Sequence, residues 1–345
     1  MPAGRISVEV IPFALDFRRP YVTATGSLAR RESVLLRLRD QNGITALGEG
    51  VPMSLRGGDS LERVVNELRT WAENPEHFPA APPARCAVTM ALADLEARRE
   101  GLPLWKFLDP AAIPRAVRCN ATITAGPVAD VVAQCEAWAA DGFDVFKLKA
   151  GPEGAVSLAA AVRAALGESA KIRIDANGSW GDRAASILSE LETVGIELVE
   201  EPVTGLADLA VLARGTRIPL VADESVNSAA EAADAFFEGS CSAVTVKLSK
   251  IGGLDAGLGG HLPTYLSSAL DGPVGIAAAA HVAQTLDPGL PWPDMAHGLA
   301  TERLLEGDLS TTGPLLVGNE LHPPALGSGL GIELDEEFLT RCRLD

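Results

Sequence analysis

Five short stretches decide the fold: Val145-Phe-Lys-Leu-Lys149, Lys171-Ile-Arg-Ile-Asp175, Ile196-Glu-Leu-Val-Glu200, Ile218-Pro-Leu-Val-Ala-Asp223 and Ala243-Val-Thr-Val-Lys247. Each is apolar and β-branched, and each ends on a charge. The gaps between those charges are 26, 25, 23 and 24 residues. A nearly constant gap of one strand and one helix places all five at the same end of a parallel sheet. In β/α barrels that end is the mouth where active sites are built. Alternation supplies the direction. Phe146 and Leu148 share one face, Ile172 and Ile174 another, Val244 and Val246 a third, and these pack against helices. Lys147, Lys149, Arg173, Asp175, Thr245 and Lys247 then point into the barrel.

Outward from this core the rhythm continues. Further strands are expected at Cys119–Ile123, Tyr265–Ser268 and Met295–Leu299, which makes eight, with helices such as 127–140, 154–166 and 183–194 between them. Such alternation is the signature of a β/α barrel. The first hundred or so residues differ. Strands are expected over Arg5–Ile11 and Ser33–Leu38, with a turn at Asp40–Gly43. A helix follows over Ser60–Trp71, with Ser60 as its cap. A second spans Ala84–Arg99, and the proline-rich stretch 78–83 separates the two. The reading is an α+β capping domain over residues 1–115 and a barrel over 116–312. A segment over 313–345 returns to the cap. Gly327-Ser-Gly329-Leu-Gly331 lacks the strand and acidic partner of a dinucleotide site and is read as a turn.

Composition removes whole classes. The chain has 345 residues and a net charge of −17. That excludes nucleic-acid backbones and anionic membrane surfaces as partners. The N-terminus has no basic segment followed by an apolar core, so no secretory signal is expected. The five cysteines are odd in number and scattered. They fit free thiols in a reducing cytoplasm.

Three carboxylates from adjacent strands suit a hard divalent cation that takes oxygen ligands, so Mg²⁺ is expected and Mn²⁺ is a substitute. Glu200 or Glu201 could serve as the second ligand, and Asp223 or Glu224 as the third. Parity with Leu198 and Val221 favours Glu200 and Asp223. Buried salt bridges between the lysines and carboxylates are the purely structural alternative. A cation beside a lysine lowers its pKa. Lys147 and the metal are both placed to act in this way on Lys149, which would become a general base for a proton α to a carboxylate. Lys247, from the sixth strand, is an acid/base or a cation facing the enediolate.

These residues resemble the enolase superfamily, muconate lactonizing enzyme subgroup. The matching pieces are Lys147-Leu-Lys149, Arg173-Ile-Asp175-Ala-Asn177, Val199-Glu200-Glu201-Pro202, Ala222-Asp223-Glu224-Ser225 and Lys247 followed by Gly252-Gly253. The resemblance implies metal ligands Asp175, Glu200 and Asp223 and acid/base residues Lys149 and Lys247. Supporting residues are Lys147, Arg173, Asn177, Glu201 and Glu224. Ser267-Ser268-Ala-Leu-Asp271, Gly275-Ile-Ala-Ala, Asn120-Ala-Thr and Gly298-Leu-Ala-Thr301 are most similar to o-succinylbenzoate synthases. An Asp-x-Asp on the eighth strand, as in dipeptide epimerases, is absent from the sequence. The implied reaction is dehydration of 2-succinyl-6-hydroxy-2,4-cyclohexadiene-1-carboxylate in menaquinone synthesis. In that family the second-strand lysine acts as base and then as acid. An N-acylamino acid racemase and an inactive barrel acting as a binding module are the alternatives.

The substrate is expected to be a small carboxylate, with Ser267, Ser268 and Arg19 as contacts. Arg18, Arg19, Tyr21 and Thr23 are read as one capping loop and residues 53–58 as another. His297 is placed near the mouth by strand count. The segment 253–265 is too short and glycine-rich for the usual helix. Acidic barrels of this size often self-associate, which leaves a homo-oligomer open.

Overall fold

The computed structural model describes residues 6–23, 26–53, 57–286, 295–324 and 327–344. The N-terminal part is a three-stranded antiparallel sheet of β1 (Ser7–Thr23), β2 (Gly26–Arg39) and β3 (Thr45–Gly50). β1 is far longer than its apolar core alone indicates, because it pairs with β2 along its length apart from an irregularity between Asp16 and Tyr21. The expected capping loop at residues 18–23 is therefore strand. Two helices cover this sheet, α1 (Leu61–Glu73) and α2 (Pro82–Glu100). Ser60 caps α1 by accepting from the Arg63 amide. Pro82 and Pro83 are not part of a separator. They open the first turn of α2, where a missing N–H costs nothing. Val34, Leu36, Leu38, Val64, Leu68, Trp71, Val88 and Leu95 form the core beneath the two helices.

After α3 (Leu104–Leu108) and the short β4 (Val117–Arg118), the barrel begins. Its strands and helices alternate: β5 (Ala121–Ile123), α4 (Val128–Ala140), β6 (Val145–Lys149), α5 (Ala155–Leu166), β7 (Lys171–Asp175) and α6 (Ala184–Leu191). They continue as β8 (Leu198–Glu200), α7 (Leu206–Ala213), β9 (Leu220–Ala222), α8 (Ala229–Glu238), β10 (Ala243–Val246), α9 (Leu248–Ile251), β11 (Thr264–Leu266) and α10 (Pro273–Val282). The seven strands form one parallel sheet in chain order. This is the expected (β/α) barrel with an α+β cap.

The eighth strand is reduced to two residues. His297 bridges Cys119 and Gly298 bridges Ser267, both parallel, which closes the sheet between its first and seventh strands. The Gly298 amide donates to Leu266 at 2.8 Å and its carbonyl accepts from Ser268 at 2.9 Å. A Cβ on Gly298 would lie 2.7 Å from the Tyr265 hydroxyl, so only glycine permits this close approach. The connection after β10 is also reduced, to the four-residue α9 and one 3-10 turn at Leu258–Gly260.

The chain ends with β12 (Ser310–Thr312), β13 (Leu315–Val317), β14 (Glu320–His322), β15 (Glu333–Leu334) and α11 (Glu336–Cys342). β14 pairs with β4, and Arg343 bridges to Phe13 of the capping sheet. Glu49 on β3 joins cap to barrel, accepting from the Gly272 and Gly275 amides at 2.8 and 2.9 Å at the start of α10. Among the described residues no helix is long and apolar enough to cross a membrane. All five cysteines are free, and Cys86, Cys119 and Cys135 are buried.

Candidate active site

The inward apolar residues of β8, β9 and β10, namely Leu198, Val221 and Ala243, form a small plug inside the barrel. One alternation further along their strands, Glu200 and Asp223 rise above it, beside Asp175 at the end of β7. Each of these three carboxylates offers an oxygen within 4.8 Å of the others, and all three are buried. Parity inside strands placed them there, as the sequence indicated. Hard oxygen donors converging at this spacing fit a divalent cation such as Mg²⁺ and suit soft metals poorly.

Lysines surround the cluster. Lys147 Nζ reaches both Glu200 carboxylate oxygens at 2.8 and 2.7 Å and Asp175 at 3.0 Å. Lys149 Nζ lies 2.5 Å from Asp175 Oδ2 and 3.2 Å from Asn177 Oδ1. Lys247 donates to Asp223. The salt bridges of the purely structural alternative are thus present, and they hold the lysines at the mouth. Burial acts to lower Lys147, but Asp175 and Glu200 outweigh it and hold its pKa well above the ordinary value. Glu200 is pushed up to about 7, by burial first and then by the charge on Asp175.

Lys149, Asp175, Glu200, Asp223 and Lys247 end consecutive strands, so the two lysines flank the carboxylates. Both line one cleft between barrel and cap. Thr122, Lys147, Ser267, Ser268 and Thr301 line it from the barrel, and Tyr21, Arg31 and Met53 line it from the cap. Among the described residues the buried Thr301 hydroxyl has no hydrogen-bond partner. Ser268 Oγ donates to Asp271 at 2.8 Å, which fixes its position.

The supporting residues divide. Asn177 accepts from Lys149, and its side-chain amide donates to Glu224 Oε1 at 3.1 Å, so it links the base-side lysine to that acid. Among the described residues Glu201 contacts no lysine. It accepts from the Asp223 amide at 2.7 Å and from the Ser225 hydroxyl, and so positions Asp223. Burial pushes Glu201 up to about 7.

Several expectations fail here. Arg173 points inward but sits too deep to hold the carboxylates. It pairs with Glu197 at 2.6 Å and lies over the Tyr265 ring. Arg19 does not reach the cleft, because the pairing of β1 directs it to a separate groove beside Trp138. His297 is half-buried behind Tyr265, accepting from the Leu266 amide at 3.0 Å, and desolvation drives its pKa down to about 3. Residues 54–56 of the second capping stretch lie outside the described residues, while Met53 lines the cleft.

Sequence reading missed Arg31, Lys250 and Tyr265. Arg31 is buried, and its Nη2 donates to the Pro52 carbonyl at 2.5 Å. Lys250 Nζ donates to Asp223 Oδ1 at 3.0 Å and to the carbonyls of Val226 and Thr245. Tyr265 shares inward parity with Ser267, a signal that was legible. Its hydroxyl donates to Asn120 Oδ1 at 2.7 Å.

Comparison with known proteins agrees with this geometry. Residues 130–338 match the family model described as enolase C-terminal domain-like. The chain is 30% identical to muconate cycloisomerase 1 of Rhodococcus opacus over 370 aligned positions, covering 96% of each. It is 27% identical to the L-Ala-D/L-Glu epimerase of Bacillus subtilis (strain 168), over 81% of this chain and 84% of that one. The muconate lactonizing enzyme of Pseudomonas fluorescens, solved with muconolactone, superposes with a TM-score of 0.90 at 27% identity. That match covers 99% of this chain and 100% of the other.

Proposed function

The chain belongs to the enolase superfamily, with the muconate cycloisomerases and dipeptide epimerases, and from that premise we propose that it dehydrates 2-succinyl-6-hydroxy-2,4-cyclohexadiene-1-carboxylate to o-succinylbenzoate. The observation that carries the proposal is the cleft itself. Lys149 and Lys247 line it on either side of the carboxylate cluster, and Ser267, Ser268 and Thr301 complete its wall. Asp175, Glu200 and Asp223 would hold Mg²⁺. That cation, when bound, supplies electrostatic stabilisation for charge developing on the substrate carboxylate.

Lys149 takes the proton α to the carboxylate, and the resulting enediolate faces Lys247. Lys149 then returns the proton to the departing hydroxide, so that water leaves and the ring becomes aromatic. Asn177 orients Lys149 through its 3.2 Å contact. Arg31 offers the second carboxylate of the succinyl arm a buried cation from the cap. The unpartnered Thr301 hydroxyl gives the ligand a further hydrogen bond.

The test is loss of the cyclohexadiene chromophore with Mg²⁺ present. Turnover is expected, and Lys149→Ala should lower kcat by about 10² to 10⁴, the usual worth of a positioned general base. Absence of turnover sinks the dehydration. A second reading rests on the two-sided placement of the lysines, which equally serves racemisation of an N-acylamino acid. In D₂O a racemase would wash deuterium into both enantiomers of an N-succinylamino acid.

A further inference from the structure

Arg18 and Arg19 are exposed, and among the described residues neither guanidinium has a hydrogen-bond or ion-pair partner. They line a groove with Phe17, Trp138 and Arg303, between β1 and α4. The Arg303 guanidinium lies 4.5 Å from the Trp138 ring centroid and pairs with Asp141. Three arginines in one groove stand out on a chain of net charge −17.

The groove abuts the lysine-lined cleft along three elements. Tyr21 is a wall of both. Thr122 of β5 lines the cleft, and Thr124, just past the end of β5, lines the groove. Thr301 lines the cleft, and Arg303 and Leu304 of the same 3-10 turn line the groove.

We propose that this arginine groove is the approach port for an anionic substrate, with Arg18 and Arg19 steering carboxylates toward the cleft past Tyr21. The inference rests on the proposed function only in requiring a small carboxylate ligand. An acidic protein repels such a ligand at long range, and a local positive surface beside the mouth reverses that sign where it matters. Free guanidinium groups suit this role better than paired ones, because their charge is not cancelled at contact distance.

The experiment measures the association rate of o-phthalate by stopped-flow tryptophan fluorescence, with the full chain and Mg²⁺. Wild type is compared with Arg18→Glu/Arg19→Glu and with a control of equal charge change, Arg39→Glu/Arg69→Glu. Arg39 pairs with Ser7, at the far end of the same hairpin. At about 10 mM ionic strength, where the Debye length is roughly 30 Å, the port variant should associate about tenfold more slowly than both others. Near 1 M, where that length is about 3 Å, the three rates should converge. Equal rates at low salt overturn the port, as does a deficit that persists at high salt, which would mark a lost direct contact. Failure of phthalate to bind also overturns it. Cyclohexadiene turnover is followed separately. Turnover without a port effect removes the port alone, and a port effect without turnover removes only the proposed substrate.

Discussion

Replacing Lys147 by Met tests what holds the centre of the barrel together. The ammonium touches Glu200 at 2.7 Å and Asp175 at 3.0 Å, and its side chain is 5% exposed. Removing one partner of a buried ion pair typically costs about 3–5 kcal/mol, because the other charge is left uncompensated. At about 2.1 cal/mol/K per residue, unfolding of this chain carries an entropy of roughly 0.7 kcal/mol/K. The expected fall in Tm is therefore about 4–7 °C in chelator at pH 9.

The deficit should depend on pH in a fixed direction. Glu200 stands at about 7 in the folded protein against an ordinary 4.5, raised by burial and by Asp175, and Lys147 is among the groups that pull it down. Loss of Lys147 therefore raises it further. A carboxyl raised on folding keeps a proton that the unfolded chain has released. Stability from that proton is complete below the unfolded value and is lost as pH rises through the folded one. The variant should thus lie closest to wild type near pH 5–6 and furthest from it at pH 9. Excess Mg²⁺ should narrow the gap, since a dication in the carboxylate cluster replaces the missing charge. Scanning calorimetry at pH 6 and pH 9, with chelator and with Mg²⁺, reads all four conditions. An unchanged Tm at pH 9 in chelator would refute the reasoning, and so would a deficit larger at pH 6.

Two further outcomes follow from single contacts. Gly329 has φ +64, and an added Cβ would lie 1.9 Å from Asp94 Oδ1, so Gly329→Ala should shift the urea midpoint downward by at least the roughly 1–2 kcal/mol of left-handed strain. An unshifted midpoint would refute the strain argument, since moving Asp94 aside leaves the left-handed backbone in place. His281 is buried, and burial holds it down to about 4 from 6.5; the Trp105 amide donates to its Nδ1 at 3.2 Å. The unfolded chain binds the proton first, so this contribution is complete above 6.5 and lost as pH falls toward 4. His281→Gln should flatten the acid side of the stability profile between those values, and an unchanged slope in urea titrations would count against it.

What the sequence disclosed followed periodicity. Strand parity located Asp175, Glu200, Asp223, Lys149 and Lys247, because each ends an apolar strand and the pleat leaves two directions to choose between. The same rule reached Tyr265 in principle. It failed where position depends on contacts distant in the chain. Arg31 and Arg19 sit on paired strands of the cap, and which of them meets the cleft is set by the β1–β2 register and its irregularity between Asp16 and Tyr21. Arg173 has the right parity but the wrong depth, since Glu197 at the base of β8 captures it. The eighth strand escaped its expected length because two residues suffice to close the sheet.

The division of charge in the site bears on what the carboxylates do. Lys147, Lys149, Lys247 and Arg31 line the cleft, and no acidic side chain is among its described lining residues. The three carboxylates are each buried and each in contact with an ammonium. Before any cation binds, these carboxylates offset lysine charges that would be too costly to bury alone. The surplus of 17 negative charges over the whole chain therefore coexists with a cleft whose surface is cationic. That inversion favours a ligand with more than one negative charge over a neutral or zwitterionic one. A dicarboxylate can engage the lysines at one end and Arg31 at the other, whereas an amino acid with a free ammonium would place a cation among four others. The charge pattern thus weighs toward the dehydration, and within racemases toward substrates whose amine is masked by an acyl group.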